Sequence, residues 1–404
     1  MRICVVSQEY PPGYVGGIGT QSRVKAQGLA QLGHEVEILT AGDEDGPPLR
    51  SWDDGQVCVR EMRIPGGDFE VYNTETYWLG YTWSVLGALR ALAAERPYEL
   101  IDFPEYAAEG FAYQLDREED DSTAVVVHLH GSLRMFAERI GWPEPGEPLH
   151  EVGTFMEATS IRAADGLLAA STSIAQFTAE CLDISAGAIE VVEGAVDTSA
   201  FTPSRPGARS DDEVRLLFVG SIAANKGVQT VWEAFLALAP EHPRLTLTIA
   251  GEGDEEIAEH ITARAAQHGV SHRVRMLGFV EHAELPELYR SVDVVAAPSQ
   301  FEGGLGMVYL EAMASGLPVI ATAAGGAVDA VADGETGVLL ERGSAEETTS
   351  ALRALVNDRA LRERMGEAAR RRAERFFAPG PYAERVLACY ERAIQRRQAT
   401  VTTW

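Results

Sequence analysis

Short apolar runs rich in β-branched residues alternate with longer amphipathic stretches along almost the whole chain. A chain with this alternation has few ways to bury both kinds of element except in βαβ units, with helices covering parallel sheets. Strands are predicted at Ile3–Val6, Val36–Leu39, Leu100–Asp102, Ala124–Leu129, Gly166–Ala170 and Ile189–Val192. A second series is predicted at Arg215–Val219, Leu245–Ala250, Val274–Leu277, Val292–Ala296, Pro318–Thr322 and Val338–Leu340. Between the series, Thr202 to Glu213 is rich in Pro, Gly, Ser and charge and is predicted to be a linker. The expected architecture is α/β: two doubly wound domains in tandem, residues 1–205 and 206–380, facing across a cleft. The segment 381–404 carries a strong helix pattern with no strand after it and is expected to cross back to the first domain. Ligands of doubly wound sheets bind beyond the carboxyl ends of the strands, so chemistry is expected in the loops after Val6, Leu129, Val219, Ala250 and Ala297.

The 404 residues suffice for two separate cores, and 46% of them are hydrophobic. The net charge of −27 makes nucleic-acid backbones and anionic membranes poor general partners, so an anionic ligand needs a local cationic pocket. No apolar run approaches the roughly 20 residues that span a bilayer, and Met1 to Val6 is too short, before Gln8-Glu9, for a signal peptide. A cytoplasmic protein is expected. Cys4, Cys58, Cys181 and Cys389 have no metal-ligand spacing and are expected to be free thiols.

The stretch Ser299 to Pro318 packs two carboxylates, a glycine-rich loop and a helix start into one short segment. Gly303, Gly304 and Gly306, with Leu305 between them, let main chain approach a ligand closely. Met307 to Ser315 is predicted to be a helix stopped by Gly316 and Pro318, whose first amides would face a diphosphate. Glu311 lies one turn inside that helix among apolar neighbours, where an unpaired charge is costly; a hydroxyl partner is expected. After Val219 comes Gly220-Ser221, then Lys226-Gly227, a lysine placed to neutralise phosphate or, read blandly, a surface lysine. Gly251 and the run Gly278-Phe279-Val280 occupy equivalent loops, where backbone groups can read a nucleobase and Phe279 either covers its face or fills the core. In the first half, Gly16-Gly17 opens a helix ended by Gly33, without the spacing of a dinucleotide fingerprint. His128 and His130 share a face of their strand, so one is expected to be structural and His130, at the strand end, is the site candidate. Glu105 and Tyr106, and the aromatics from Tyr72 to Trp83, are acceptor candidates, although core packing accounts for most of those rings equally well.

Together these motifs resemble family 4 of the retaining glycosyltransferases. The likeness runs from Pro11-Pro12 and Gly16-Gly17 through Lys226-Gly227, Leu277-Gly-Phe-Val, Pro298-Ser299 and Glu311-Ala-Met-Ala to Gly325-Gly326 and Gly334-x-Thr-Gly337. The resemblance implies the GT-B fold, two tandem Rossmann-like doubly wound domains, and sugar transfer from a nucleotide diphosphate-sugar co-substrate with no tightly bound cofactor and no required metal. It assigns Glu302 to the donor sugar, Glu311 to the ribose hydroxyls, Lys226, Gly16 and Gly17 to the diphosphate, and His130 to the reacting sugar. The acceptor is a small molecule, a lipid-linked sugar or a glycan. Three departures stand out. Eight residues (303 to 310) separate Glu302 from Glu311 where the family has seven, Ser221 replaces the arginine that usually accompanies the lysine, and Gly194-Ala195 and Asp329 replace the family's Asn-Gly and Glu. A nucleotide-sugar epimerase of the same fold and a catalytically silent nucleotide-sugar-binding subunit are the alternatives.

Overall fold

The computed structural model describes every residue except 13–15, 65–76, 205–212, 303, 342 and 403–404. Most of the predicted linker, and the aromatic stretch as far as residue 76, therefore lie outside the described residues. The chain divides into two compact units, Met1–Ala195 with Pro379–Trp404, and Val196–Ala378.

The first unit is built on eight strands: β1 (Arg2–Val6), β2 (Glu35–Ala41), β3 (Leu49–Asp54), β4 (Val57–Met62), β5 (Leu100–Pro104), β6 (Ala124–Leu129), β7 (Gly166–Ala169) and β8 (Ile189–Val191). Their order is β3-β4-β2-β1-β5-β6-β7-β8, and every pairing is parallel except β3 with β4. β1, β5 and β6 are buried throughout, as strands covered by helices on both faces must be. The β3–β4 hairpin is absent from the sequence expectation for a physical reason. β3 is the sheet's edge, and its sequence Leu-Arg-Ser-Trp-Asp-Asp presents charge to solvent rather than an apolar run. The hairpin turns at Gly55, which has φ +66°.

The helix Gly17–Gln31 ends in a Schellman pattern: Gly33 N–H donates to the Ala30 carbonyl and His34 N–H to that of Leu29, with Gly33 at φ +89°. Against it packs the helix Pro379–Val401, which contributes Tyr382, Val386, Cys389, Tyr390 and Ala393 to this unit's core. Two glycines permit that approach. A Cβ on Gly28 would stand 2.7 Å from the Ala383 Cβ, and one on Gly166 2.9 Å from the Ala393 Cβ.

The second unit carries β9 (Val214–Val219), β10 (Leu245–Ala250), β11 (Val274–Met276), β12 (Val294–Ala296), β13 (Val319–Thr322) and β14 (Gly337–Leu340). The order is β11-β10-β9-β12-β13-β14, all parallel. Trp232, Phe235, Phe218 and Tyr309 lie at the centre of its core with the aliphatic residues of β9, β10 and β12. In each sheet the chain winds outward in both directions from one point, between β1 and β5 in the first and between β9 and β12 in the second. Loops leaving those two strands diverge, and the gap they leave is where such sheets hold ligands. No helix among the described residues is long and apolar enough to cross a membrane.

Substituting Gly28→Leu should force the two helices apart, at a cost of about 1–3 kcal/mol. Urea unfolding would report the loss, and limited proteolysis should cut the carboxyl-terminal helix earlier than in the parent protein. A variant with parental unfolding midpoint and cleavage rate would refute the close packing.

Candidate functional site

At the switch point of the second unit, the loop after β9 carries Lys226 and the loop after β12 carries Glu302. Their side chains meet, with Lys226 Nζ donating to Glu302 Oε1 at 3.0 Å. Both remain partly exposed, so the pair is accessible rather than sealed in the core. Main chain holds the two loops together: Gln300 N–H donates to the Asn225 carbonyl at 2.8 Å, and Gly227, at φ +80°, lies so close to the Pro298 carbonyl that a Cβ would collide with it.

The same construction continues outward. Gly251 and Gly253, both at positive φ, pass against the carbonyls of Gly220 and Ile222, leaving no room for a side chain. Gly325 and Gly326 abut the Glu302 and Gly304 carbonyls, and Gly326 N–H donates to Glu302 O at 3.0 Å. Ser221 is exposed beside Gly220. Phe279 is half exposed, and its N–H donates to Glu252 Oε1 at 3.2 Å; Val280 instead packs against the core. Of the donor-binding candidates, Gly303 lies outside the described residues.

The helix Met307–Ala314 starts beyond Gly304, Leu305 and Gly306. Gly306 takes φ +75°, and a Cβ there would stand 2.6 Å from the Tyr309 ring, so the entry to this helix needs glycine. Leu305 is buried and Met307 is half-buried against the core. Glu311 is 4% exposed, and both of its oxygens are engaged: Oε2 accepts from the Tyr289 hydroxyl at 2.9 Å and Oε1 lies 3.2 Å from His282 Nε2. The expected hydroxyl partner is Tyr289, whose own ionisation is pushed up by burial and then by Glu311. His282 was not expected. It sits on the turn before Tyr289's helix and packs its ring edge-on to Phe201, at 5.6 Å between centroids; a lone histidine in an acidic run carries no signal of that position.

In the first unit, the loop after β1 and the segment after β5 flank the other switch point. Glu9 Oε2 accepts the Gly16 N–H at 2.6 Å, and Gly17 opens the helix with free space around its α-carbon. Glu105 closes β5 and is 1% exposed; its Oε1 accepts the main-chain N–H groups of His130 (2.6 Å) and Gly131. Behind it the chain turns sharply through Ala107 and Ala108, at φ +64° and +49°, a conformation that costs non-glycine residues about 1–2 kcal/mol each. Tyr106 packs edge-on between Trp78 (5.4 Å) and Phe136 (6.3 Å). His128 is buried on β6, with its ring 4.1 Å from that of His130, which stands just past the strand end and is half-buried.

Three buried carboxyls surround this edge. Burial raises Glu105 to about 7 and Glu109, whose Oε1 accepts from Gln8 N–H at 3.0 Å, to about 8. Glu157, which accepts from Leu133 N–H at 2.9 Å, is likewise raised well above the usual carboxyl range, by burial and then by Glu105. Among the described residues, each keeps one oxygen without a hydrogen-bond partner. Because the folded state holds the Glu109 proton more tightly than the unfolded chain, this carboxyl costs no stability at low pH and progressively more as pH rises from about 4.5 toward 8. Glu109→Gln should therefore stabilise the protein, with a gain over the parent that grows between pH 5 and pH 8. Urea titrations of both proteins across that range would show a constant difference if the carboxyl were already ionised throughout.

Among the described residues, no group of three or more His, Cys, Asp or Glu side chains is arranged to hold a metal ion. Residues 202–372 match the family model described as glycosyl transferases group 1, and residues 16–194 match that of the glycosyl transferase 4-like domain. The chain is 32% identical to a D-inositol 3-phosphate glycosyltransferase of Kineococcus radiotolerans over an alignment that covers 96% of this chain and 93% of the relative. It is 28% identical to a glycogen synthase of Mycobacterium tuberculosis, over 93% and 91% of the two chains. Among solved structures, sucrose-phosphate synthase from Thermosynechococcus elongatus superposes with a TM-score of 0.80 at 22% identity, over 98% of this chain and 99% of that one, which is a likeness of fold.

Proposed function

The chain belongs to the glycosyltransferases of GT-B fold, and from that premise we propose that it moves a sugar from a nucleotide diphosphate-sugar to an acceptor hydroxyl with retention of anomeric configuration, in the manner of family 4. The observation that carries this reading is the Lys226–Glu302 pair at the second sheet's switch point, close in sequence to the start of the helix Met307–Ala314.

In this reading Lys226 and the amides of Gly304 to Met307 receive the negative charge that develops on the departing diphosphate, with Gly17 contributing a main-chain donor, while the Gly16 N–H is already held by Glu9. Glu311, oriented by Tyr289 and His282, accepts hydrogen bonds from the ribose hydroxyls. Gly251 and Val280 line the base with main-chain groups while the exposed Phe279 ring covers its face. Glu302 lies beside the donor sugar and His130 beside the reacting carbon. The bond from the anomeric carbon to the phosphate oxygen breaks with its electron pair leaving on the diphosphate. The acceptor oxygen bonds to the same face of the oxocarbenium-like sugar, and its proton passes to the departing phosphate oxygen. Ser221 supplies no charge where the family has arginine, which leaves Lys226 as the cation of this loop.

Lys226→Ala and Glu302→Gln should each lower turnover by about 100-fold or more, the scale of losing one group that stabilises transition-state charge. Thermal unfolding midpoints should stay near the parent's, because the pair is partly solvated and contributes little to stability. Parental turnover in both variants would remove these residues from the chemistry. The donor base follows from a thermal-shift panel of UDP, GDP, ADP and dTDP, since a nucleotide that binds the folded state raises its melting temperature by mass action. Free nucleotide together with a glycosylated product supports transfer; an isomerised donor would establish an epimerase instead.

A further inference from the structure

We propose that Lys25 is a positioning residue for His130: it fixes the proton of His128 on Nε2 and keeps the stacked pair of imidazoles uncharged. The proposal rests on the reading that His130 lies beside the reacting sugar.

Lys25 comes from the middle of the helix Gly17–Gln31 and is 1% exposed. Its Nζ donates to Asp102 Oδ1 at 2.8 Å and lies 3.2 Å from His128 Nδ1. An ammonium group has donors and no lone pair, so the His128 Nδ1 that faces it must accept. The ring proton then belongs on Nε2, which is buried with no hydrogen-bond partner among the described residues. The His130 ring lies over that of His128, 4.1 Å away and tilted by 34°.

Burial and the cation beside the two rings favour their neutral forms. Burial, and then the Lys25 charge, hold His130 below the usual imidazole range; burial, His130 and Lys25 do the same for His128. The acid that would promote protonation, Asp102, is committed elsewhere, bound by Lys25 and by the Tyr390 hydroxyl of the helix Pro379–Val401, with Tyr382 also near it. Glu105 meets the main chain of His130 rather than its ring. The consequence is chemical. A sugar passing through an oxocarbenium-like state carries positive charge at its anomeric carbon, and an imidazolium beside it would oppose that charge, whereas a neutral ring can hydrogen-bond without repelling it.

A structural staple for the carboxyl-terminal helix is the competing role for the same contacts, so the test must read the imidazoles. Nitrogen-15 histidine spectra of the unliganded protein should show His128 as the Nε2–H tautomer, with neither His128 nor His130 titrating between pH 5 and pH 8. Tyr390→Phe, which weakens the staple and keeps Lys25 on Asp102, should leave those signals in place. In Lys25→Met/Asp102→Asn, which removes both charges together so that neither is left buried alone, the His128 tautomer should become mixed and the His130 midpoint should rise. The kcat–pH profile of that variant should gain an acid limb, while the donor KM stays within about twofold of the parent's. An Nδ1–H tautomer for His128 in the parent protein overturns the proposal without any variant. So does a double variant with parental histidine signals and a parental pH profile. Turnover by His130→Gln at the parental rate would instead overturn the placement of His130 in the reaction, an outcome the spectra cannot produce.

Discussion

The carboxyl edge of the second sheet is held by main chain resting on main chain. Gly227 against Pro298, Gly251 against Gly220, Gly253 against Ile222, and Gly325 and Gly326 against Glu302 and Gly304 form a series of contacts in which no side chain intervenes. Most of these glycines also sit at positive φ, so the loop paths are fixed twice, by space and by conformation. The Lys226–Glu302 contact depends on that frame. Its two residues lie in loops from neighbouring strands, and long flexible side chains at an exposed edge would otherwise lose the entropy of pairing with little return. Stacked glycine loops convert a weak surface ion pair into a located one.

Buried carboxylates are paired in the second unit and, at Glu37 and Asp102, in the first, but three others in the first are not fully paired. In the second, Glu311 is buried but both oxygens are satisfied, and Asp293 is bound by Arg215 through side chain and main chain. In the first, Glu105, Glu109 and Glu157 are buried with one oxygen each unpaired among the described residues, and burial raises all three. An unpaired buried carboxyl in a fold that needs only packing would be a liability. Glu105 sits at a strand end, behind a strained Ala107-Ala108 turn and against the amides of His130 and Gly131, so the strain and the desolvation fall on one short segment.

Much of this was legible in the sequence because it is local. Alternating apolar runs locate the strands of both sheets, Gly316-Leu-Pro318 marks the end of the helix after the glycine loop, and the apolar company of Glu311 demands a polar partner. Which partner was not legible: Tyr289 lies 22 residues away, and only the fold brings its hydroxyl to Glu311. The Lys25–Asp102 pair, 77 residues apart, left no trace in any window, and a lysine inside an amphipathic helix looks like a solvated face until the sheet beneath it is built. The β3–β4 hairpin escaped for the opposite reason, since an edge strand needs only one partner and little apolar content.

The anionic chain as a whole sharpens the role of its few placed cations. With a net charge of −27, the mean field repels a diphosphate, and attraction must come from groups close enough to outweigh it. In the loop after β9 the placed cation is Lys226, already facing a carboxylate; Ser221 adds none. A bound diphosphate would therefore compete with Glu302 for the ammonium, and the helix amides would have to carry charge that two cations share elsewhere in the family. Fixed amides suit that load, because they need no reorganisation as charge develops and cannot be neutralised by a neighbouring acid. The first unit supplies the complementary condition: its buried lysine is spent on Asp102 and His128, so that it keeps rings neutral rather than binding an anion. Both arrangements follow from one constraint, that a strongly acidic chain can direct positive charge only where its folded backbone holds the cation in place.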